Sequence, residues 1–166
     1  MHWTYKLNGA SDLEQGDILR RSAYLTKEVL EKYHPYYAKP QRNEFFIVLT
    51  QSCDLVRRNS EFKTPYISIA PIRPLRVIIE REFRRYLRNL KPNAQAFGTV
   101  DEKERLREFL ERLFNNNNSR YFFLEKQQDK GLAENMCAVL SLAISIKTEH
   151  YDECLSARVL QLEDNF

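Results

Sequence analysis

The pattern of apolar and polar positions centres on residues 45–49, where five consecutive residues are apolar. This run is too short for a helix and is closed by polar turn formers, which is typical of a strand buried on both faces. A second strand is predicted at 66–70, where apolar and polar residues alternate. Because a long basic connection joins these two strands, we expect them to form an antiparallel pair in a small curled sheet.

Weaker strand patterns lie on both sides of this pair. Alternation predicts a strand at 3–7, the Gly16-Asp17 turn predicts a short strand at 18–19, and strand-forming residues predict another at 121–124. Residues 136–146 alternate between large apolar and small side chains, which predicts one long curved strand. The segment 155–162 fits either a short strand or the start of a helix.

Three helices are predicted, at about 22–33, 75–90 and 101–114, because apolar residues recur there at helical spacing. The apolar face of the first is formed by Leu25, Val29, Leu30 and Tyr33. That of the second is formed by Ile79, Phe83, Tyr86, Leu87 and Leu90. That of the third is formed by Leu106, Phe109, Leu110 and Leu113, after a capping box that starts at Thr99.

Together these elements predict an α+β fold in a single domain, residues 1–166, with a helical insertion at about 75–114. The predicted sheet is small and antiparallel. It either curls towards a barrel or stays open.

Composition adds limits on the class of protein. A net charge of +3 neither requires nor excludes a nucleic-acid partner. No apolar run of about 18 residues is present, and the first residues lack the pattern of a signal peptide, so we expect a cytoplasmic protein without a membrane segment. Three widely spaced cysteines fit reduced thiols better than disulfides, and histidine spacing predicts no metal site and no cofactor.

Positive charge is concentrated in the second predicted helix. Between Arg73 and Lys91, seven basic residues stand against two acidic ones, a local charge of +5 compared with +3 for the chain. Four of the arginines share one helix face because they recur at i, i+3, i+4 and i+7: Arg81, Arg84, Arg85 and Arg88. This face is either an ordinary solvated surface or a binding surface for RNA phosphates or an acidic protein.

The polar end of the central strand is the candidate site. Gln51, Ser52 and Asp54 are its candidate binding residues, although Gln51 and Asp54 are equally suited to satisfy turn amides. Cys53 is either a nucleophile or a small buried hydrophobe. Because no histidine lies near it in sequence, the buried alternative is favoured.

Two further groups carry candidate chemistry. A tyrosine cluster that either stacks on nucleobases or packs as a lid or core consists of Tyr33, Tyr36 and Tyr37. Metal-capable atoms, in a spacing that matches no standard site, occur at His150, Asp152, Glu153 and Cys154.

Residues 16–72 contain the motif Gly16-Asp17-Ile18, a basic residue at Arg42, and the two strands F-F-I-V-L-T-Q-S and Y-I-S-I-A-P. In these features the segment resembles the opening of MazF/PemK-type proteins. The resemblance implies an SH3-like β-barrel that forms a homodimer and binds single-stranded RNA, which toxin members of the family cleave without a metal. It also implies that Arg42 is the catalytic cation.

The chain departs from the toxin pattern at one position. The toxins place a Ser or Thr at the end of the following strand, but that place falls near Pro71-Ile72 here, and the nearest hydroxyls are Thr64 and Ser68. The resemblance therefore implies a toxin-like protein of a prokaryotic toxin–antitoxin or phage-defence module, with RNA binding favoured over cleavage. The alternative is a non-catalytic adaptor or regulator whose arginine-rich helix binds an acidic protein.

Overall fold

The computed structural model describes residues 5–6, 12–39, 43–57, 61–86 and 99–162. Within these ranges the strands are β1 (Tyr5–Lys6), β2 (Asp17–Arg20), β3 (Phe45–Val48), β4 (Tyr66–Pro74), β5 (Tyr121–Leu124), β6 (Met136–Val139), β7 (Ile144–Lys147) and β8 (Arg158–Leu162). The helices are α1 (25–33), α2 (Ser52–Leu55), α3 (Leu75–Tyr86), α4 (Val100–Phe114) and α5 (Tyr151–Ser156). In α1, a π-helical stretch, Leu25–Leu30, continues as the α-helical turn Glu31–Tyr33.

All of these strands belong to one antiparallel sheet that curls into a half-barrel, which confirms the predicted α+β fold with a curled antiparallel sheet. The strand order is β1-β8-β2-β3-β4-β6-β5, and β7 also pairs with β4. The expected antiparallel pairing of β3 with β4 is confirmed, with Phe45 opposite Ile72 and Val48 opposite Ile69.

β4 runs through two prolines, whereas the sequence predicted its end at Ala70. Pro71 lies opposite Phe46 of β3 and beside the gap between β7 and β6, the two neighbours on the other edge of β4. Proline cannot donate a ladder hydrogen bond, but it is tolerated where a ladder is interrupted. The strand therefore continues to Pro74, and α3 begins at the next residue.

The single strand predicted at 136–146 is wrong. From Ala138 to Ile144 this segment advances by six residues, whereas the stretch of β4 opposite it, from Ile72 to Ile69, advances by only three. The surplus residues form a 3-10 turn, Leu140–Leu142, which separates β6 from β7. The alternation of large and small side chains continues through this turn, so the pattern alone does not reveal it. The ambiguous segment 155–162 ends α5 and then forms β8.

The inner face of the curl carries one apolar cluster with side chains from β8, β2, β3, β4, β6 and β5, which we call the inner core. Its buried members are Ile18, Phe45, Ile47, Ala70, Ile72, Leu124, Leu132, Met136, Ala138, Leu160 and Leu162. The other residues of β3, Phe46 and Val48, pack on the outer face. β3 is therefore buried on both faces, as predicted.

Two separate helical layers cover the outer face. The α1/α5 cover packs α1, Tyr37 and α5 on β2, β3, β4 and β7, and the α3/α4 cover packs α3 and α4 on β5 and β6. Leu142 contacts both layers. A seam between the two covers therefore crosses the outer face of the sheet.

The faces of the helices match the prediction for α4 and differ for α1 and α3. In α4, the expected core residues Leu106, Phe109 and Leu113 are buried, and the capping box is confirmed. In α1, Tyr33 is 62% exposed although it was predicted on the buried face. A π-helical turn closes residue i to i+5, so Leu25 and Leu30 stack towards the sheet and Tyr33 turns outward.

In α3 the buried positions are Leu75, Ile78 and Glu82. The predicted stripe of Ile79, Phe83 and Tyr86 is half-buried at its edge. Its remaining members, Leu87 and Leu90, lie outside the described residues. The helix is therefore rotated from the predicted orientation, and the rotation carries an acidic residue into the core.

Candidate functional site

The polar end of β3 forms the turn that starts α2. Thr50 Oγ1 accepts a hydrogen bond of 2.7 Å from the backbone N of Ser68. Ser52 Oγ accepts one of 3.0 Å from the backbone N of Gln15, and Gln51 is exposed. These polar residues therefore tie β3 to β4 and to the loop before β2.

A cleft of about 390 Å³ opens beside Ser52 at the mouth of the inner core. It is lined by Gln15, Gly16, Ile47, Val48, Leu49, Ser52, Phe122, Leu140 and Leu162. Gly16 has φ +86°, and a Cβ added there would lie 3.3 Å from Leu162 Cβ, so this turn requires glycine. The cleft has the size of a small-molecule site and is mostly apolar.

Asp17, in the Gly16-Asp17-Ile18 motif, is held by hydrogen bonds inside the protein. It is fully buried, and its Oδ2 accepts hydrogen bonds from the backbone N of Glu14 (2.8 Å) and from Arg158 Nη1 (3.1 Å). Burial raises the pKa of the Asp17 carboxyl, while the Glu14 amide and Arg158 oppose the increase. This motif joins β2 to β8 and lies beside the cleft.

Asp54 and Cys53 lie on the outside of α2. Asp54 is half-buried and pairs with Lys63, whose hydrogen bond lowers the pKa of the Asp54 carboxyl. Cys53 is exposed, with its Sγ 3.7 Å from Asp54 Oδ1, so the favoured expectation of a buried thiol here is wrong. The short helix turns Leu55 inward instead, which leaves Cys53 facing outward.

The other two cysteines are buried in the helical covers. Cys137 lies on β6 under α3 and α4, and Cys154 lies on α5. Burial raises the pKa of each thiol to about 12. Neither is a candidate nucleophile, because the thiolate is the reactive form.

The arginine face of α3 surrounds the buried Glu82. The Glu82 side chain is 3% exposed, and its Oε1 accepts a hydrogen bond of 2.7 Å from the Tyr121 hydroxyl. Arg81 Nε lies 3.6 Å from Glu82 Oε1, and Arg85 Nη1 lies 3.4 Å from Oε2. Two of the predicted phosphate-binding arginines therefore already share a carboxylate.

Of the other arginines predicted to form a site, the structure describes Arg84 but not Arg88 or Arg42. Arg84 is exposed and has no ion-pair partner among the described residues. Arg88 lies outside the described residues, and so does Arg42, the candidate catalytic residue.

The structure separates the polar turn from the arginine helix. Thr50 lies beside Ser68 near the start of β4, whereas α3 begins after Pro74 at the end of β4. Six strand residues separate these points, a length of roughly 20 Å. Gln51, Ser52 and Asp54 therefore share one end of the sheet, and Arg81, Arg84 and Arg85 belong to an element that starts at the other.

A groove of about 150 Å³ between α1 and the β4/β7 edge was not predicted from the sequence. We call it the tyrosine groove, and it is lined by Val29, Tyr33, His34, Tyr66, Ser145, Ile146, Lys147 and His150. Tyr33 is 62% exposed and Tyr66 is 50% exposed. A second depression of about 200 Å³ shares Tyr66 and Lys147 with it, so the two lie side by side, and we call the pair the track.

The two histidines of the groove are held by hydrogen bonds. His34 Nε2 lies 3.1 Å from the Ser145 carbonyl oxygen, and His150 Nδ1 lies 3.1 Å from the Tyr24 hydroxyl. In the tyrosine cluster, Tyr37 is buried and donates to the Leu142 carbonyl oxygen. The cluster thus divides into one core residue, Tyr37, and two exposed rings, Tyr33 and Tyr36.

Across the described residues, no three His, Cys, Asp or Glu side chains converge in a way that could hold a metal ion. The helices of the described ranges are all too short or too polar to cross a bilayer. No protein-family model, curated protein or solved structure matches this chain.

Proposed function

We propose that this protein binds single-stranded RNA as a toxin-like member of a prokaryotic toxin–antitoxin or phage-defence module. The observation that carries the proposal is the tyrosine groove, where Tyr33 and Tyr66 expose half or more of their surface along one track. Proteins that bind single strands stack bases on such exposed aromatic rings, and each stacked base contributes about 1–3 kcal/mol.

The shape of the track suits a strand better than an enclosed small molecule. Each depression is smaller than the 300–1,000 Å³ (roughly) of typical small-molecule pockets. Because they share Tyr66 and Lys147, the two depressions lie next to each other where β4 begins and β7 ends. A single strand needs such an open platform for successive bases.

Lys147 supplies a cation for a phosphate between two stacked bases. Its Nζ lies 3.7 Å from Glu149 Oε1, and both side chains are exposed. An exposed ion pair of this kind contributes at most about 1 kcal/mol, so a phosphate can replace Glu149 at small cost.

The resemblance to MazF/PemK-type proteins supports the RNA class and the type of module, and the curled half-barrel is compatible with an SH3-like barrel. Within the proposal, Ser52, which lines the cleft, and the exposed Gln51 before it are further contacts for the strand, and Arg42 is the candidate catalytic cation. Binding does not require cleavage, because stacking and phosphate contacts are sufficient for affinity.

The test measures binding of labelled mixed-sequence single-stranded RNA in EDTA over a potassium chloride series. We expect the double variant Tyr33→Ala/Tyr66→Ala to bind at least about 10-fold more weakly, since it removes two stacking platforms. The matched double variant Tyr33→Phe/Tyr66→Phe keeps both rings and should bind like the wild type. Lys147→Ala should reduce the salt slope by about 1.

Three outcomes decide the proposal. RNA binding that survives Tyr33→Ala/Tyr66→Ala unchanged rejects the groove. Absence of RNA binding at every salt concentration rejects the function and favours an acidic protein partner for α3. Cleavage in EDTA that Arg42→Ala abolishes adds a metal-independent endoribonuclease activity.

A further inference from the structure

One arginine on the sheet, Arg73, is buried and has no carboxylate within ion-pair distance among the described residues. Arg73 lies on β4 opposite Cys137 and is 9% exposed. Successive residues of a strand face opposite sides of the sheet. Because Ile72 faces the inner core, Arg73 faces the outer side. This position lies at the seam between the α1/α5 cover and the α3/α4 cover.

The hydrogen bonds of Arg73 are incomplete. Its Nη2 donates to Asn43 Oδ1 at 3.3 Å, and Asn43 is itself fully buried. Its Nε is the one buried side-chain polar atom in the described part of the chain that has no hydrogen-bond partner. Buried polar groups are normally satisfied, so an exception of this kind requires an explanation.

The guanidinium of a second arginine, Arg21, lies beside Tyr37 and Asn43. Arg21 Nη1 donates to the Tyr37 carbonyl oxygen at 3.3 Å, and Asn43 Nδ2 donates to the same oxygen at 3.4 Å. Arg21 also donates to the Ala38 carbonyl oxygen. Neither Arg21 nor Arg73 has a carboxylate within ion-pair distance among the described residues. Both guanidiniums therefore donate only to neutral acceptors in the described ranges, and the Glu31 carboxylate acts on Arg21 from beyond ion-pair distance.

We propose that Arg73 and Arg21 form an oxyanion site that takes a phosphate group at the seam. A desolvated guanidinium is costly unless it is paired, and its planar donors match the oxygens of phosphate. A phosphate oxygen at Arg73 Nε supplies both the missing acceptor and the missing negative charge. To reach it, the anion parts the two covers near Leu142, where they meet.

This inference does not rest on the proposed function, because inorganic phosphate is a sufficient ligand. Free phosphate and the phosphate of a nucleotide present the same chemistry. A titration with inorganic phosphate is therefore compared with one using a ribonucleoside 5′-monophosphate. A lower half-saturation for the nucleotide identifies the nucleotide as the source, and equal values identify free phosphate.

The experiment follows the thermal midpoint of the purified full chain as phosphate replaces chloride at constant ionic strength. A ligand that binds the folded state raises the midpoint in a saturable manner. We expect a rise of several degrees for the wild type, no saturable rise for Arg73→Met, and the wild-type rise for Arg76→Met. Arg76 is the matched control because it is exposed and pairs with Glu134 at 3.3 Å.

An equal, non-saturating rise in all three proteins overturns the proposal, because phosphate also stabilises proteins through exclusion from their surface. If Arg73→Met does not fold, phosphorus NMR of inorganic phosphate is recorded with the wild type and with Arg21→Gln. Broadening of the phosphate signal that Arg21→Gln weakens by several fold supports the site. A sharp signal with the wild type refutes it.

Discussion

Arg158 and Arg73 are two arginines of the same sheet that are both about nine-tenths buried. Arg158 on β8 meets a carboxylate, because its Nη1 lies 3.1 Å from Oδ2 of the fully buried Asp17. Arg73 on β4 meets the amide oxygen of Asn43 instead. A carboxylate therefore compensates the charge of Arg158, whereas Arg73 has only a neutral amide among the described residues.

Burial alone therefore does not determine how much a charged side chain contributes to the free energy of unfolding. At Arg158, removing the cation leaves the buried Asp17 carboxylate without the guanidinium that compensates its charge, which is costly. At Arg73, removing the cation leaves a neutral amide. Chemically identical substitutions at these positions should therefore change stability in opposite directions.

The largest expected effect is that of Arg158→Met. We expect the free energy of unfolding to fall by about 3–5 kcal/mol at neutral pH, because Asp17 stays buried without its cation. Urea unfolding measures the change. The control is Arg20→Met, which breaks the exposed pair of Arg20 with Glu44 and should cost no more than about 1 kcal/mol. Similar losses in both variants would show that the depth of the pair is irrelevant.

The pH dependence of this loss sharpens the comparison. The pKa of Asp17 is raised from 3.8, chiefly by burial, so the folded protein holds this proton more tightly than the unfolded chain does. Stability from this group therefore increases as the pH falls through the folded pKa towards 3.8. Loss of Arg158 raises that pKa further, so the deficit of Arg158→Met should narrow between neutral pH and pH about 4. A deficit that is constant over this range would contradict the account.

The next effect concerns Glu82, a buried charge of the opposite sign. Tyr121→Phe removes the hydroxyl that donates to Glu82 Oε1 at 2.7 Å, and we expect a loss of about 2 kcal/mol, typical of a hydrogen bond to a charged group. Tyr86→Phe is the control, since that hydroxyl has no hydrogen-bond partner in the described ranges. Equal urea midpoints for the two variants would show that the Tyr121 hydroxyl does not stabilise the Glu82 carboxylate.

The smallest effect, and the one of opposite sign, belongs to Arg73→Met. In phosphate-free buffer we expect the free energy of unfolding to rise by about 1 kcal/mol, because an unpaired buried cation is replaced by an apolar side chain of similar length. Arg76→Met on the neighbouring surface should change it little. A loss comparable to that of Arg158→Met would mean that Asn43 satisfies Arg73 as fully as a carboxylate does.

The apolar pattern was sufficient for the elements whose burial follows their own periodicity. The two-sided burial of β3 and the face and cap of α4 follow from local sequence. In each case the neighbouring residues along the chain determine the result. Local backbone geometry and burial then require no information about distant partners.

The break at 140–142 and the outward turn of Tyr33 depend on more than local pattern. The break arises from the register that β6 and β7 adopt against β4, and Tyr33 depends on the π-helical winding of α1. Register and winding are properties of how segments pack together. The tyrosine groove, which the outward-facing Tyr33 helps to line, was therefore not visible in the sequence.

The sequence by itself determined the strands β3 and β4, the helix α4, and how much charge each predicted segment carries. Only the tertiary structure decided which charges are compensated: Asp17 and Arg158 are 141 positions apart, whereas Asn43 and Arg73 are 30 apart. The physical reason is that an ion pair or hydrogen bond requires contact within a few ångströms, and chain folding, not sequence distance, creates that contact.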